Sequence, residues 1–170
     1  FINCAWNGKK NTLDSISNKD WDHDINMSLS SIFKVTKKFI PLLKRSEGKI
    51  VNISSMYGHV APDYKIYKSE NLANPPSYGA AKAGIIQLTK YLASFLSLYK
   101  INVNCISPGA FPFKSTKKKY PDFIRKLKKK SVLGRLGIPR DLRGVVVLLT
   151  SNAGNYINGQ NICVDGGWSV

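Results

Sequence analysis

At 170 residues the chain is long enough for one domain with a real core and too short for two comfortable ones. Hydrophobic content of 43% and charged content of 21% exclude a disordered chain, and no apolar run approaches the roughly 20 residues needed to cross a bilayer. The net charge of +16, with Lys supplying 21 of the 26 basic residues, points either to a compositional bias or to an anionic partner.

The opening Phe1-Ile2-Asn3-Cys4-Ala5 reads as the inside of a buried strand, so the expectation is a domain that has lost its beginning. From Asp20 to Leu43 apolar residues fall at three- and four-residue steps, which predicts an amphipathic helix. Pro41 is expected to bend or end it. Lys49–Ser54 is the second strand, Ser77–Tyr99 a long helix with small residues at Ala80, Ala81, Ala83 and Gly84, and Ile101–Ser107 the third strand, closed by Pro108-Gly109. A basic segment follows. Pro139 opens a helix through Leu149, and Asn161–Val164 is the last strand. Short apolar runs alternating with helical periods predict an α/β fold: a parallel sheet, four strands with flanking helices, in a single domain over residues 1–170. Such sheets bind ligands at the carboxyl ends of their strands, which directs attention to Ser54-Ser55 and to Pro108-Gly109.

Tyr78-Gly79-Ala80-Ala81-Lys82 places a Tyr and a Lys one helical turn apart on one face. A free phenol, with a pKa of roughly 10, is a poor proton donor or acceptor near neutral pH. A nearby ammonium lowers that pKa. Taken alone the pair equally fits an ordinary surface Tyr and Lys. It is accompanied by Lys49-Ile50-Val51-Asn52-Ile53-Ser54-Ser55-Met56-Tyr57-Gly58 upstream, Asn102-Val103-Asn104-Cys105-Ile106-Ser107-Pro108-Gly109 downstream, and Ile157-Asn158-Gly159-Gln160 and Val164-Asp165-Gly166-Gly167 near the end.

On these ordered motifs the sequence resembles the short-chain dehydrogenase/reductase family along its whole length. The resemblance implies a Rossmann-like doubly wound fold, NAD or NADP as cofactor, and hydride transfer between a carbonyl and an alcohol. It implies Tyr78 as general acid or base and Lys82 as the residue that lowers its pKa and holds the nicotinamide ribose. Ser55 would orient the substrate oxygen, with Ser54 the alternative. Asn3 and Ala5 would line the cofactor cleft, and Pro108, Gly109 and the backbone of Phe111 would border the nicotinamide. The family's assembly implies a homodimer or homotetramer through the two long helices.

Four positions depart from the family pattern. No T-G-x-x-x-G-x-G turn occurs, and those glycines let a backbone approach the pyrophosphate. The helix position that usually carries Asn is Ser28, with Asn26 out of register. Trp6 replaces the glycine of N-N-A-G. Finally, 22 residues separate Ser55 from Tyr78, and the extra stretch around Asp63–Pro76, with Tyr64 and Tyr67, is expected at the rim of a substrate pocket. The insertion, Trp6 and the ending Asp165-Gly166-Gly167-Trp168 are most similar to reductases of bacterial surface-sugar pathways, such as nonulosonate or flagellin-glycan synthesis. That implies a sugar or nucleotide-sugar substrate.

Two other readings stay open: a 3-oxoacyl-carrier-protein reductase-like enzyme, and a non-catalytic remnant or binding subunit with a polyanion-binding face. Lys114–Lys130 holds nine basic residues against only Asp122. It fits a solvated face, a site for an anionic substrate or acidic carrier, or nucleic acid, the last disfavoured by the lack of any accompanying motif. His23 and His59 receive no role, and Asp14, Asp20, Asp22 and Asp24 are read as acids suited to a helix dipole. Cys4, Cys105 and Cys163 show no metal-ligand spacing and read as buried free thiols of a cytoplasmic protein.

Overall fold

The computed structural model describes residues 1–6, 8–67 and 72–170. Four parallel strands, β1 (Ile2–Asn3), β2 (Lys49–Ile53), β3 (Asn102–Pro108) and β4 (Asn161–Val164), lie side by side in chain order. Between β1 and β2 run α1 (Asn18–Ile25), a π-helical turn (Asn26–Ser30) and α2 (Ser31–Ser46). The long α3 (Pro76–Leu96) leads to β3 through a 3-10 turn. Two basic helices, α4 (Lys114–Lys119) and α5 (Pro121–Lys130), and then α6 (Arg143–Thr150) precede β4. The fold is the expected α/β arrangement.

Strand periodicity explains the two covered faces of the sheet. Ile50 and Val103 pack with Leu92, Ala93 and Leu96 of α3 on one side. Their neighbours Val51 and Ile106 point the other way and pack with Leu149 of α6. Gly84 explains the run of small residues on α3: a Cβ there would lie 2.7 Å from Leu29, so the π-helical turn and α3 approach closely only because it is absent.

Two expectations change. Pro41 does not end its helix, because α2 continues to Ser46. Pro removes one intrahelical bond, but the carbonyl it frees, on Lys37, lies on an exposed face where water satisfies it, while Leu43 beyond it is buried against β2 and α3. The thiols also differ: all three are free, but only Cys105 is buried, its pKa raised to about 11 by burial. Cys4 and Cys163 are exposed. Among the described residues, no helix is long and apolar enough to cross a membrane.

Candidate active site

β2 ends at Ile53, and the next two residues turn inward. The Ser54 hydroxyl donates to the Lys82 carbonyl at 2.7 Å, so it is committed to the main chain of α3. Ser55 is extended, and its hydroxyl accepts from the Tyr57 N–H at 3.2 Å, capping the 3-10 turn Met56–Gly58. That turn rests on α3 because Gly58 has no side chain: a Cβ there would lie 2.9 Å from the Lys82 carbonyl carbon and oxygen. Pro76 opens α3 in its first turn, where a missing N–H costs nothing. Tyr78 follows in the same turn and Lys82 one turn further on.

Lys82 is 4% exposed, and its ammonium donates to the Ile53 carbonyl at 2.9 Å, 5.7 Å from the Tyr78 ring centroid. Ser55, Tyr78 and Lys82 therefore converge at the carboxyl end of β2. Burial pushes the Tyr78 phenol above its usual range, and a hydrogen bond with Ser55 opposes that rise. Burial also pushes the Lys82 ammonium down, with Cys4 and Cys105 opposing. The Lys82 ammonium is aimed at the Ile53 carbonyl, and burial sets the direction of the phenol's shift. The Trp6 ring, in place of the family glycine, meets Tyr78 edge-on at 5.3 Å.

The remaining residues expected at a cofactor cleft are placed less uniformly. Ala5 is exposed just beyond β1, whereas Asn3 is buried and its side-chain amide is engaged. It donates to Asn52 Oδ1 at 2.8 Å and Thr36 Oγ1 at 3.2 Å, and Asn52 donates in turn to Thr89 Oγ1 at 2.9 Å. Pro108 closes β3, and the Gly109 N–H donates to the Val164 carbonyl at 3.0 Å. Gly109 lies so close to the last strand that a Cβ would come within 2.6 Å of Asp165 Cα. Phe111 lies over Gly137 in a cavity of about 330 Å3, which Asp165 and Trp168 also line and Ser55, Tyr78 and Lys82 do not. The Asp165 carboxylate accepts from the Gly167 and Ser169 N–H groups, and Gly166 and Gly167 adopt φ of +67° and +77°, so this segment is a built turn.

The segment expected at the rim is described at Asp63–Tyr67, which packs beside Tyr57 and on α5. The Tyr57 and Tyr67 hydroxyls share a hydrogen bond of 2.7 Å, and burial raises both phenols. Tyr67 packs on Phe123 of α5 with ring centroids 5.4 Å apart, and Ile66 joins a cluster with Ile124 and Leu127. Lys130 pairs with Asp63 at 2.6 Å. Residues 68–71 of that stretch lie outside the described residues. The basic run thus forms two helices, with α5 seated on Asp63–Tyr67. Among the described residues, no group of three or more His, Cys, Asp or Glu side chains could hold a metal ion.

Sequence reasoning missed several of these residues. Asn52 had a signal, a polar residue between Val51 and Ile53 on a buried strand. The Tyr57–Tyr67 pair and the partner of Asp24 had none. Asp24 is not a solvated helix-start acid: it sits near the end of α1, buried, with its Oδ2 accepting from the Ser77 hydroxyl at 2.6 Å.

Residues 1–169 match the family described as enoyl-(acyl carrier protein) reductase. The 2-dehydro-3-deoxy-D-gluconate 5-dehydrogenase of Escherichia coli is 35% identical, over 99% of this chain and 64% of its own length. A 3-oxoacyl-[acyl-carrier-protein] reductase of Thermotoga maritima is 34% identical, over 98% of this chain and 64% of its own. The crystal structure of a short-chain dehydrogenase from Leptospira borgpetersenii with bound NAD+ superimposes with a TM-score of 0.89 at 36% identity, covering 99% of this chain and 64% of that one. The chain thus spans 64% of the length of each of these relatives.

Proposed function

Because the chain belongs to the short-chain dehydrogenase/reductase family, we propose that it carries the proton-transfer side of an NAD- or NADP-dependent oxidoreductase interconverting a carbonyl and an alcohol. The observation that carries this reading is the convergence of Ser55, Tyr78 and Lys82 on one strand end, with Ser55 and Lys82 bonded to the main chain around them and the Tyr78 ring packed edge-on against Trp6. A bound nicotinamide would supply or accept the hydride.

The residues present fit that cofactor. The Lys82 ammonium spends one of its three protons on Ile53, leaving two donors for ribose hydroxyls. Ala5, Pro108, Gly109 and Phe111 would border the ring, and Asn3, with its amide engaged in the buried network, would hold the shape of the cleft from behind. In reduction, Ser55 would donate to the carbonyl oxygen and fix its position, and Tyr78 would give up its phenolic proton to that oxygen. A phenol raised by burial keeps its proton at neutral pH but releases it reluctantly, so the acid role too would draw on a positive charge brought closer to the ring. In oxidation Tyr78 must act as base, and a positive charge moved closer to the phenol would be needed to lower its pKa.

The Tyr57–Tyr67 pair and the lysines of α5 support a polar, anionic substrate of the sugar-acid kind, the class named for the Escherichia coli relative. The Thermotoga maritima relative supports acyl-carrier substrates as the second reading. The 170 residues would be the C-terminal part of one Rossmann-like domain, in a cytoplasmic protein assembling as a homodimer or homotetramer. Exposed apolar residues on the long helices, Phe33 and Phe39 on α2 and Tyr91 and Phe95 on α3, suit that assembly.

The test is Tyr78→Phe in the complete natural polypeptide. Turnover is expected to fall by roughly 100-fold or more, with the dinucleotide dissociation constant unchanged. Retained turnover sinks the assignment. Activity on hydroxy or keto sugar acids against 3-oxoacyl thioesters separates the two substrate readings.

A further inference from the structure

Asp24 is 1% exposed, and among the described residues no cation pairs with it. Burying a carboxylate is costly unless it is paired or well hydrogen-bonded, and an apolar side chain would fill that space without the cost. Among the described residues its carboxylate accepts one hydrogen bond, from the Ser77 hydroxyl to Oδ2 at 2.6 Å. Ser77 is itself fully buried and immediately precedes Tyr78 in the first turn of α3.

The second oxygen lies beside Gly8, as does the indole of Trp6, the other neighbour of Tyr78. Asp24 Oδ1 has no partner among the described residues. A Cβ on Gly8 would lie 2.6 Å from Oδ1 and 3.1 Å from Trp6 Cζ2, so carboxylate and indole flank the same glycine. The Trp6 ring packs edge-on against Tyr78, and its N–H likewise lacks a partner among the described residues. Two residues beyond Asp24 the helix widens into the π-helical turn Asn26–Ser30, where the buried Ser28 hydroxyl also lacks a partner among the described residues. Such turns are rare, and they cluster at functional sites.

We propose that Asp24 is a positioning residue for Tyr78. Its carboxylate fixes Ser77, and with it the first turn of α3. The same carboxylate backs Trp6 against the phenol ring, so the hydroxyl is held in one direction from two sides. The assignment rests on Tyr78 being the proton-transfer residue.

The test uses Asp24→Leu, Asp24→Asn, Ser77→Ala and the Asp24→Leu/Ser77→Ala double variant in the complete natural polypeptide, with steady-state kinetics, dinucleotide binding and thermal melting. Asp24→Leu removes the charge but leaves the buried Ser77 hydroxyl without its acceptor, so it is expected to fold and to melt lower than the parent. Its kcat should fall about 10- to 100-fold, the cost of a misplaced reacting group, with KM and dinucleotide affinity within about twofold. Ser77→Ala should lose part of that factor and the double variant no more than Asp24→Leu, since the bond between the two residues is removed only once. Asp24→Asn keeps an oxygen for Ser77 and should recover most of kcat. Parental kcat in Asp24→Leu and Ser77→Ala, or losses that simply multiply in the double variant, overturns the positioning role. If Asp24→Leu fails to fold, Ser77→Ala decides: a kcat loss at unchanged KM supports the role, and unchanged kcat removes it. Turnover in Tyr78→Phe would instead overturn the catalytic reading beneath it.

Discussion

The two sides of the candidate site are held in different ways. On the side of β2 and α3, polar side chains bond to main chain: Ser54 to the Lys82 carbonyl, Lys82 to the Ile53 carbonyl, Ser55 to the Tyr57 N–H. On the side of the rim and α5, side chains meet side chains: Tyr57 with Tyr67, Tyr67 with Phe123, Asp63 with Lys130. Main-chain anchors leave few ways to move without unmaking the sheet. Side-chain contacts between exposed charges and half-buried rings can be exchanged at low cost. On the proposed reading the site is rigid where a proton would be transferred and adjustable where a substrate would be admitted, the division that lets one fold serve many substrates.

Gly58→Ala should break the rigid side most severely. The added methyl would meet the Lys82 carbonyl at 2.9 Å, and neither backbone can yield without separating Ser55 from α3. Turnover is expected to fall about 10- to 100-fold, with an overpacking cost of about 1–3 kcal/mol in stability. If kcat were unchanged and only KM rose, the contrast between the two sides would be wrong. Asn52→Ala comes next. It removes the acceptor for Asn3 and the donor for Thr89 at once, in a fully buried place. Leaving such groups unsatisfied costs about 1–3 kcal/mol. Denaturant unfolding should record that loss, while kcat per folded molecule stays close to the parent, because the network lies behind the site.

Which of these relations could be read from the sequence follows from how far apart their partners stand. Tyr78 and Lys82 were legible because one helical turn joins them, and Ser55 because it follows a strand whose apolar run ends at Ile53. The four strands were legible from their apolar runs, to within a residue or two at their ends. Asp24 was misread because a helical wheel tells which residues share a face but not which face meets Ser77, 53 residues away. The Asn3–Asn52–Thr89 ladder needs three elements to be packed before any of its bonds exists. Pro41 was misread for a different reason: propensity sees the lost hydrogen bond but not the burial of Leu43 two residues later.

The adjustable side makes the gentlest prediction, and the one that tests the contrast most directly. Lys130→Ala removes the exposed pair with Asp63 and should leave the melting temperature almost unchanged, as exposed ion pairs contribute little. It should raise KM for an anionic substrate a few-fold at low salt and lose that effect at about 1 M salt, where the screening length is near 3 Å. The pH dependence of this anchor has a definite sign. Hydrogen bonds from Lys130 and from the Lys65 backbone hold the Asp63 carboxyl below its usual range, so the folded state favours the ionised form. Its contribution is present above the ordinary carboxylate pKa and is lost as pH falls through the lower folded value. Parent and Lys130→Ala should therefore differ slightly in melting temperature near neutrality and converge as pH falls below the ordinary carboxylate value of about 4. A fall in kcat on Lys130→Ala, independent of salt, would mean that the basic helices act on the proton-transfer residues themselves, and the rim would then belong to the rigid side.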